Sequence, residues 1–427
     1  MPNYIYGIDF GTSNSALAIL DQDSQQILKL FTAPSLLFFK EMGSKPEAPT
    51  VAIGDAAIDQ YVENRMHGRF MKSIKKVLPN KSFLDTRIGG NRYRAEDLVV
   101  LILSHLITQA DEFLGQSVKK AVIGRPVVFD ENPEKDQLAQ ERLGRAAKMA
   151  GLEEFYFQME PIGAAYTYQR QISKPELVLV ADFGGGTSDF SLMRLHPAAE
   201  SQTNEDMLAQ GGIYIGGDSF DSDIMWHKGT PHFGRGVKEE FTPGKPIDLP
   251  LNYFLNICSW ERMNFLDTLR MRLSIAKSYQ FSKQDYRVKN LQTLIDKNLG
   301  YTFFKQIEQA KIELGSQDTT FLDYNQHEIE IHEEIQAEEF EHDIIVDNLS
   351  KIKDYLNEFL EKNNFKAEDI DVVFMTGGTS QVRPLKNHFI YTFGEAKVTS
   401  GDNFNSVAMG LAFSFDLLAQ KQKEEVI

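Results

Sequence analysis

Two short segments of the chain combine an aspartate with a turn of small residues, and these residue types could bind a polyphosphate and a metal ion. Residues 8–15 read IDFGTSNS, and residues 181–189 read ADFGGGTSD. Glycine permits close backbone approach and positive φ, so each turn can surround phosphate oxygens with N–H groups and hydroxyls. An aspartate at a strand end can hold Mg²⁺ directly or through water. Two near-copies, about 170 residues apart, indicate a duplication whose halves face one polyphosphate.

The two turns supply the predicted phosphate and metal ligands. The phosphate contacts are predicted at Gly11, Thr12, Ser13, Asn14, Gly184, Gly185, Gly186 and Thr187, and the metal ligands at Asp9 and Asp182.

Apolar stretches and helix patterns indicate which elements position these turns. Buried strands are predicted at Tyr4–Phe10, Ala16–Leu20, Val118–Ile123, Leu177–Ala181 and Ile370–Met375. Helices are predicted at Glu96–Leu114, Glu134–Met149, Pro161–Arg170, Asp343–Asn363 and Ser406–Gln420, with a loop at Gly229–Pro250 and mostly helix at Ser259–Leu314. Strand–turn–helix alternation in two halves is typical of two α/β domains with a cleft between them.

Composition narrows the class of protein. The chain has 427 residues, which is more than one core usually supports, and a net charge of −16. An acidic surface repels phosphate backbones and anionic membranes, so neither nucleic acid nor a membrane is expected as a partner. The single cysteine, Cys258, excludes an intramolecular disulfide and is expected to be a half-buried small hydrophobe. Without a signal-peptide or membrane-spanning pattern, we expect a soluble cytoplasmic protein.

The ordered set of motifs resembles the ATPase core of the actin/Hsp70/sugar-kinase superfamily, and within it the Hsp70 chaperones. The resemblance covers nearly the whole chain. Besides the two turns, the motifs are 70–75 FMKSIK, 121–127 AVIGRPV, 160–166 EPIGAAY, 216–221 GGDSFD, 307–311 IEQAK, 375–380 MTGGTS and 406–412 SVAMGLA. Residues 160–166 and 406–412 resemble the two hinge segments of that family.

The resemblance implies an α/β fold of two duplicated ribonuclease-H-like domains, the actin-like ATPase fold, around a nucleotide cleft. We place the first half at residues 1–180, with an inserted outer lobe at 37–117, and the second at 181–427, with an enlarged lobe at 213–316. The implied function is an Hsp70-like, chaperone-type switch that binds ATP, hydrolyses it slowly to ADP with Mg²⁺, and signals by opening and closing of the cleft.

The resemblance also implies roles for individual residues. Lys72 would stabilise charge on the γ-phosphoryl group, and Glu160 and Asp189 would orient the attacking water beside the metal ligand Asp182. Nucleotide contacts are further implied at Gly216, Gly217, Asp218, Glu308, Lys311, Gly377, Gly378, Thr379 and Ser380.

Three features depart from the usual Hsp70 pattern. Ile312 stands where an arginine usually stacks on adenine, and Gly315 replaces a serine, so a weaker contact to the base is expected. The segment between Asp221 and Glu308 is longer than usual, and we expect it to bear the site of a protein partner. The chain ends at Ile427, soon after the second hinge. An Hsp70-type motor without a peptide-binding domain is expected, similar to chaperone-like proteins of the YegD type.

Each assignment has an alternative. The two turns could be ordinary β-turns, and Glu160 could serve only as a carboxylate at a helix N-terminus. Lys72 could belong to a solvated basic stripe with Lys75 and Lys76. Acidic residues at 333–334 and 338–339 are interpreted as a solvated helix face rather than as metal ligands. The alternatives for function are a small-molecule kinase of the same fold, an MreB-like filament protein and a non-hydrolysing nucleotide-binding module. A monomer is expected.

Overall fold

The computed structural model describes residues 3–40, 50–64, 67–170, 172–197, 207–400 and 406–425. Its strands are β1 Tyr4–Phe10, β2 Asn14–Asp21, β3 Gln26–Pro34, β4 Leu37–Phe39, β5 Val51–Ile53, β6 Arg69–Met71, β7 Thr86–Ile88, β8 Asn91–Tyr93, β9 Lys120–Arg125, β10 Glu154–Met159, β11 Glu176–Phe183, β12 Ser188–Leu195, β13 Met207–Ile213, β14 Lys238–Glu239, β15 Ile247–Asp248, β16 Thr319–Gln326, β17 Ile329–Gln336, β18 Val372–Thr376 and β19 Val398–Ser400.

The α-helices number fifteen among the described residues. They are α1 Asp55–Glu63, α2 Ala95–Leu114, α3 Pro133–Met149, α4 Glu160–Gln169, α5 Gly217–Ile224, α6 Leu251–Ile257, α7 Trp260–Met263, α8 Leu269–Phe281, α9 Tyr286–Asp296, α10 Gly300–Glu313, α11 Ala337–Glu339, α12 Val346–Lys362, α13 Arg383–Phe393, α14 Ser406–Phe413 and α15 Phe415–Glu425.

Two five-stranded sheets share one topology. The first has the order β10-β9-β1-β2-β3, and the second, read from its opposite edge, has the order β19-β18-β11-β12-β13. In each sheet the central strand, β1 or β11, pairs antiparallel with the next strand of the chain and parallel with the strand on its other side. Asp9 and Asp182 are each the last residue but one of a central strand. The duplication predicted from the two turns is therefore confirmed in the fold.

Both faces of the first sheet are covered. Tyr6, Ile8 and Phe10 of β1 belong to one core with side chains of α2 and α3, while Ile5 belongs to a second core with α4 and α14. That second core also contains Val178 and Val180 of β11. Burial on both faces explains why these strands read as nearly continuous apolar runs rather than as alternating patterns.

The helices next to the sheet begin and end at the expected signals. Asn132 caps α3 by accepting hydrogen bonds from the N–H groups of Glu134 and Lys135, and Pro133 follows it in the first turn. Helix α2 ends at Gly115, which has a left-handed backbone with φ 66°. Both helices thus lie within a residue or so of their predicted ranges.

Helices α4 and α14 are the two predicted hinge segments, and glycines lie where they contact each other. They pack against each other, and α14 also packs on β1. A Cβ on Gly410 would lie 1.6 Å from the carbonyl oxygen of Gly163, and a Cβ on Gly7 would lie 2.0 Å from the carbonyl oxygen of Ala408. The backbones therefore approach so closely that only glycine fits at Gly410 and Gly7.

We expect Gly410→Ala to destabilise the protein by about 1–3 kcal/mol, because the added methyl group forces the two hinge helices apart. The matched control is Gly144→Ala in α3, where a Cβ would meet its nearest neighbour, a Phe157 ring atom, at 3.6 Å. That variant is expected to be neutral or up to about 1 kcal/mol more stable, because alanine favours helix. Denaturant unfolding measures both, and equal effects of the two variants would contradict the tight crossing.

The chain divides into two compact units. The first comprises Met1–Tyr214, Tyr355–Ser380 and Phe389–Ile427, and it contains both five-stranded sheets, α4 and α14. The second comprises Ile215–Asp354 and Gln381–His388. It begins near the predicted start of the enlarged lobe at 213 but continues past 316 through the hairpin β16–β17. The halves 1–180 and 181–427 and the lobe at 37–117 stay predictions.

The hairpin β16–β17 corrects one expectation of the sequence analysis. Residues 333–334, predicted on a solvated helix face, lie on β17, where Ile329, Ile331 and Ile335 alternate with exposed residues in the period of two that a strand requires. Glu333 and Glu339 are also not simply solvated, since both form ion pairs with Lys228, at 3.1 Å and 2.8 Å. Within the described ranges, no helix is both long and apolar enough for a membrane span.

Candidate functional site

The two aspartates predicted as metal ligands end matching strands of the first unit. Asp9 lies opposite Ala16 in the β1–β2 pair, whereas Asp182 lies opposite Asp189 in the β11–β12 pair. Asp9 and Asp182 are half-buried, and Asp189 is 8% exposed. The second sheet therefore contributes two facing carboxylates where the first contributes one.

A buried ion pair lies beside these aspartates. Lys75 Nζ is 2.7 Å from Glu160 Oε1, and both side chains are 11% exposed. Glu160 is in the first turn of α4, directly before Pro161. Ser73, with a left-handed backbone (φ 59°), turns the chain into a short 3₁₀ helix at Ile74–Val77 that carries Lys75.

The lysine that the structure brings onto Glu160 is therefore Lys75, three residues after the predicted Lys72. Lys72 is half-buried and comes directly after β6, and its catalytic role stays a prediction. The interpretation of Lys75 as part of a solvated stripe is wrong, since its side chain is largely buried against Glu160. Sequence spacing missed Lys75 because three lysines within five residues look alike until the backbone turns at Ser73.

The carboxylates are crowded enough to perturb one another. Burial, together with the charge of Glu160, raises the pKa of Asp9 to about 7, although Lys75 opposes this rise. Burial also raises the pKa of Asp189 to about 7, against a hydrogen bond from Thr187. The pKa of Asp182 is raised well above its usual range by burial and by Glu160, Asp189 and Asp9. Burial alone would lower the pKa of Lys75, but Glu160, Asp9 and Asp182 outweigh it and raise that pKa.

The first predicted phosphate turn is held by a residue outside its motif. Ser35 Oγ donates to the carbonyl oxygen of Gly11 at 2.8 Å, and Ser35 N donates to the carbonyl oxygen of Ser13 at 2.8 Å. Ser15 Oγ lies 2.8 Å from Ser35 Oγ. A Cβ on Gly11 would lie 2.0 Å from the carbonyl oxygen of Asn14, so the turn requires glycine there.

The second predicted phosphate turn has one hydrogen bond within the turn and one to Asp189. Gly184 N donates to the carbonyl oxygen of Thr187 at 2.9 Å, and Thr187 Oγ1 donates to Asp189 Oδ2 at 2.9 Å. A Cβ on Gly186 would lie 3.1 Å from Lys76 Cε, so the stem of that lysine runs beside the turn. The hydroxyl of Thr187, predicted to contact phosphate, therefore also orients Asp189.

Two further glycines make room for the carboxylates. A Cβ on Gly212 of β13 would lie 2.2 Å from Asp189 Oδ1, and a Cβ on Gly377 would lie 2.3 Å from the carbonyl oxygen of Phe183 and 2.7 Å from Asp182 Oδ1. Gly377 has φ 80°, which favours glycine for a second reason. Gly377 was predicted from its motif, whereas Gly212 was missed because nothing in the sequence near it indicates the contact to Asp189.

The turn predicted to contact adenosine is linked to the second phosphate turn. Thr379 Oγ1 donates to the carbonyl oxygen of Gly184 at 2.9 Å, and Ser380 N donates to the carbonyl oxygen of Gly377 at 3.1 Å. Gly377, Gly378, Thr379 and Ser380 thus follow β18 and lie next to the end of β11. Their contact with adenosine stays a prediction.

The remaining predicted contacts lie in the second unit. Gly216 precedes α5, and Lys311 Nζ of α10 lies 2.7 Å from Asp221 Oδ1 and 3.2 Å from the carbonyl oxygen of Gly217. Burial raises the pKa of Asp221 to about 6, with Lys311 opposing and Glu308 and Asp218 adding to the rise. The structure thus brings Gly216, Gly217, Asp218, Glu308 and Lys311 together within that unit.

The donor set fits a hydrated divalent cation. Among the described residues, no group of three or more His, Cys, Asp or Glu side chains forms a ready-made metal site. Three aspartates with raised pKa values nevertheless surround one lysine, which is already paired with Glu160. Mg²⁺ usually keeps several waters and takes one or two carboxylates together with phosphate oxygens. Asp9 and Asp182 are the residues that would hold it.

Comparisons with known proteins give the family. The family model described as "Hsp70 protein" matches residues 5–235 and 280–427, leaving 236–279 unmatched. Among curated relatives named "Chaperone protein DnaK", the protein of Mycoplasmopsis synoviae is 26% identical over 97% of this chain and 59% of its own length. That of Thermosipho melanesiensis is 27% identical over 98% and 60%, and that of Mycoplasmopsis agalactiae is 33% identical over 52% and 34%.

The chain thus spans about three fifths of the length of the relatives that match nearly all of it. The family match and the two sheets of equal topology confirm the predicted actin-like ATPase fold. The chain belongs to the Hsp70 family.

Proposed function

We propose that this protein is a chaperone-type nucleotide switch that binds ATP with Mg²⁺ and slowly hydrolyses it to ADP. One observation carries the proposal: Asp9, Asp182 and Asp189 converge, with raised pKa values, on the buried pair of Lys75 and Glu160. Burying several carboxylates without a full complement of cations is costly for stability, so such a cluster is typical of a functional site.

The phosphates are assigned to the two turns. The N–H groups and hydroxyls of residues 11–14 and 184–187 supply donors, and Lys75 supplies a positive charge. Mg²⁺, when held by Asp9 and Asp182, supplies neutralisation of charge on the phosphates. Gly377, Gly378, Thr379 and Ser380 are assigned to adenosine. The nucleotide contacts at Gly216, Gly217, Asp218, Glu308 and Lys311 stay predictions.

Hydrolysis requires a water to attack the γ-phosphorus while the bond to the β–γ bridging oxygen breaks, and the water must lose a proton. Of the two carboxylates predicted to orient this water, we assign the proton to Asp189. A base works best with a pKa near the working pH, and the pKa of Asp189 is about 7. Glu160 is already engaged by Lys75, so its role is to hold that lysine.

The test is single-turnover hydrolysis of labelled Mg-ATP by the wild type and by Asp182→Ala. Slow turnover in the wild type that is lost in the variant supports the proposal. No turnover in either protein would contradict hydrolysis, and nucleotide affinity measured on the same samples would then decide whether the protein only binds nucleotide.

Selectivity for adenine is expected to be weak. The side chain of Ile312 is 60% exposed on α10, one residue after Lys311, and it has no guanidinium to stack on a base. We expect Ile312→Arg to bind ATP about 3- to 30-fold more tightly, since a cation over an aromatic ring adds up to about 2 kcal/mol. Ile312→Gln is the control, and tripolyphosphate affinity is expected to be equal in all three proteins. An equal gain in Ile312→Gln would contradict stacking.

We also propose that the second unit docks a protein partner, and that the protein is otherwise a cytoplasmic monomer. Segment 236–279 contains seven of the twenty exposed large apolar side chains among the described residues. Leu269 and Leu273, 74% and 62% exposed, lie one turn apart on α8, next to Arg270. Residues 262–289 contain seven Lys or Arg and two Asp or Glu, in a chain of net charge −16. This chemistry fits an acidic, apolar segment of another protein.

The docking proposal is tested with the double variant Leu269→Glu, Leu273→Glu. We expect ATP hydrolysis by the double variant to be unchanged. A partner that alters the rate of ADP release from the purified wild type is expected not to bind the double variant. Leu84→Glu, at a side chain 76% exposed in the first unit, is the matched control. A partner bound equally by the double variant would contradict docking on α8. Light scattering with and without Mg-ATP tests the monomer against the filament alternative.

A further inference from the structure

In each of the two phosphate turns, one buried hydroxyl donates a hydrogen bond to a backbone carbonyl. The carbonyl lies at the same position of the motif in both turns. Gly11 follows Asp9 by two residues, and Gly184 follows Asp182 by two residues. The carbonyl oxygen of Gly11 accepts a hydrogen bond from Ser35 Oγ at 2.8 Å, and that of Gly184 accepts one from Thr379 Oγ1 at 2.9 Å. The hydroxyls come from different parts of the chain, after β3 in one case and after β18 in the other.

Each of these hydrogen bonds fixes more than the carbonyl group itself. In a planar trans peptide, the carbonyl of one residue and the N–H of the next belong to one rigid unit and point in opposite directions. A hydroxyl that holds the Gly11 carbonyl therefore directs the N–H of Thr12 away from Ser35. Thr379 directs the N–H of Gly185 in the same way. Thr12 and Gly185 are two of the residues assigned to phosphate.

Both hydroxyl-bearing residues are buried. Ser35 is 0% exposed, and Thr379 is 7% exposed. Ser35 is itself supported by Ser15, which is 1% exposed and lies 2.8 Å away. Because the single hydrogen of Ser35 Oγ goes to Gly11, Ser15 must be the donor in that contact. A second bond, from Ser35 N to the carbonyl oxygen of Ser13, holds the other end of the same turn at 2.8 Å.

We propose that Ser35 and Thr379 are paired positioning residues that orient the N–H groups of Thr12 and Gly185 toward the phosphates of the nucleotide. The proposal rests on the proposed function, since it concerns how the same site holds its ligand. It gives Thr379 a second role besides the predicted contact to adenosine. It also explains why a serine 24 residues after Gly11, outside both turn motifs, is fully buried against the first turn.

Removing either hydroxyl should change ligand affinity in a way that depends on whether the ligand has phosphates. Without the hydroxyl, the peptide can rotate, and the N–H must be ordered again each time a phosphate binds. The loss should therefore reduce affinity for ligands with phosphates and leave affinity for adenosine unchanged. A change that merely disturbed the fold would instead weaken both kinds of ligand.

The experiment measures affinities for ATP, ADP and adenosine by calorimetry in four proteins: wild type, Ser35→Ala, Thr379→Val and Ser414→Ala. We expect each of the first two variants to bind ADP and ATP about tenfold more weakly, as loss of about 1.4 kcal/mol implies. Adenosine affinity is expected to be unchanged in Ser35→Ala, since Ser35 is not among the residues assigned to adenosine. Ser414→Ala is the matched control, because Ser414 Oγ is also buried and donates to a carbonyl, that of Leu411 at 2.7 Å. Thr379→Ser keeps the hydroxyl and is expected to restore the affinity.

Each outcome bears on one proposal. If the wild type binds ATP but neither variant changes the ratio of ADP affinity to adenosine affinity, the positioning role is overturned while the proposed function stands. If adenosine affinity falls as much as ADP affinity in Ser35→Ala, the positioning role is overturned too. If the wild type binds no nucleotide, the proposed function itself fails. Should Ser35→Ala not fold, the tripolyphosphate affinities of Thr379→Val and Thr379→Ser test the same idea on the second turn, and equal affinities in these two variants would overturn it.

Discussion

Replacing Lys75 with methionine is expected to reduce single-turnover hydrolysis of Mg-ATP by about 10²–10³-fold, the usual effect of removing one well-placed charge donor from a transition state. Methionine keeps the length and much of the apolar stem but removes the positive charge beside Glu160, Asp9 and Asp182. Both the γ-phosphoryl group and the surrounding carboxylates then lose their positive neighbour. The measurement is the rate of release of labelled phosphate with enzyme in excess.

The matched control is Lys72→Met, since Lys72 was predicted to be the catalytic lysine from its motif. We expect this variant to hydrolyse ATP within a few-fold of the wild type. A large loss in Lys72→Met with little change in Lys75→Met would reassign the role to Lys72. In that case the pair of Lys75 and Glu160 would be structural, and melting temperatures of both variants would show which lysine stabilises the fold.

Replacing Asp189 with asparagine is expected to abolish most hydrolysis and, at alkaline pH, to make the protein without ligand more stable. Burial raises the pKa of Asp189 to about 7, above the value of about 3.9 usual in an unfolded chain. Its contribution to stability is therefore full below the unfolded pKa and is lost as pH rises through about 7. Asparagine cannot ionise, so it avoids that loss while still accepting a hydrogen bond from Thr187.

The measurement is the melting temperature without nucleotide or metal between pH 5.5 and 8.5. The variant is expected to gain on the wild type by about 2–5 °C over that range. Asp130→Asn is the control, because Asp130 accepts hydrogen bonds from Asn132 and Lys135 that lower its pKa, so it stays ionised over this range. A difference between Asp189→Asn and wild type that does not change with pH would show that Asp189 is not ionising in this range.

Parts of the site that depend on neighbouring residues in the chain could be predicted from the sequence. A buried strand, an aspartate and a small-residue turn form one local unit, so Asp9, Asp182 and both turns were found where the structure has them. Glu160 before Pro161 could be predicted from the resemblance of residues 160–166 to a hinge segment of the Hsp70 family, and it lies in the first turn of α4. The duplication followed because the unit occurs twice.

Parts that depend on distant residues could not be predicted. Lys75 reaches Glu160 across 85 residues, and its direction depends on the left-handed backbone of Ser73. Ser35 and Gly212 have no motif, and their importance comes from what they touch, the carbonyl of Gly11 and the carboxylate of Asp189. The acidic residues at 333–334 lie on a strand and not on the predicted helix face, because their charge carries no information on the period of two that the buried isoleucines of β17 follow.

The two sheets differ at the position of the predicted metal ligands, where Ala16 lies opposite Asp9 but Asp189 lies opposite Asp182. The two sheets therefore share a strand order but carry different side chains at this position. Under the proposed function, the carboxylate assigned to the proton of the attacking water comes from the second sheet, where Asp189 lies opposite Asp182. If ATP is hydrolysed as proposed, the orientation in which the triphosphate can react is set by this difference between the two sheets.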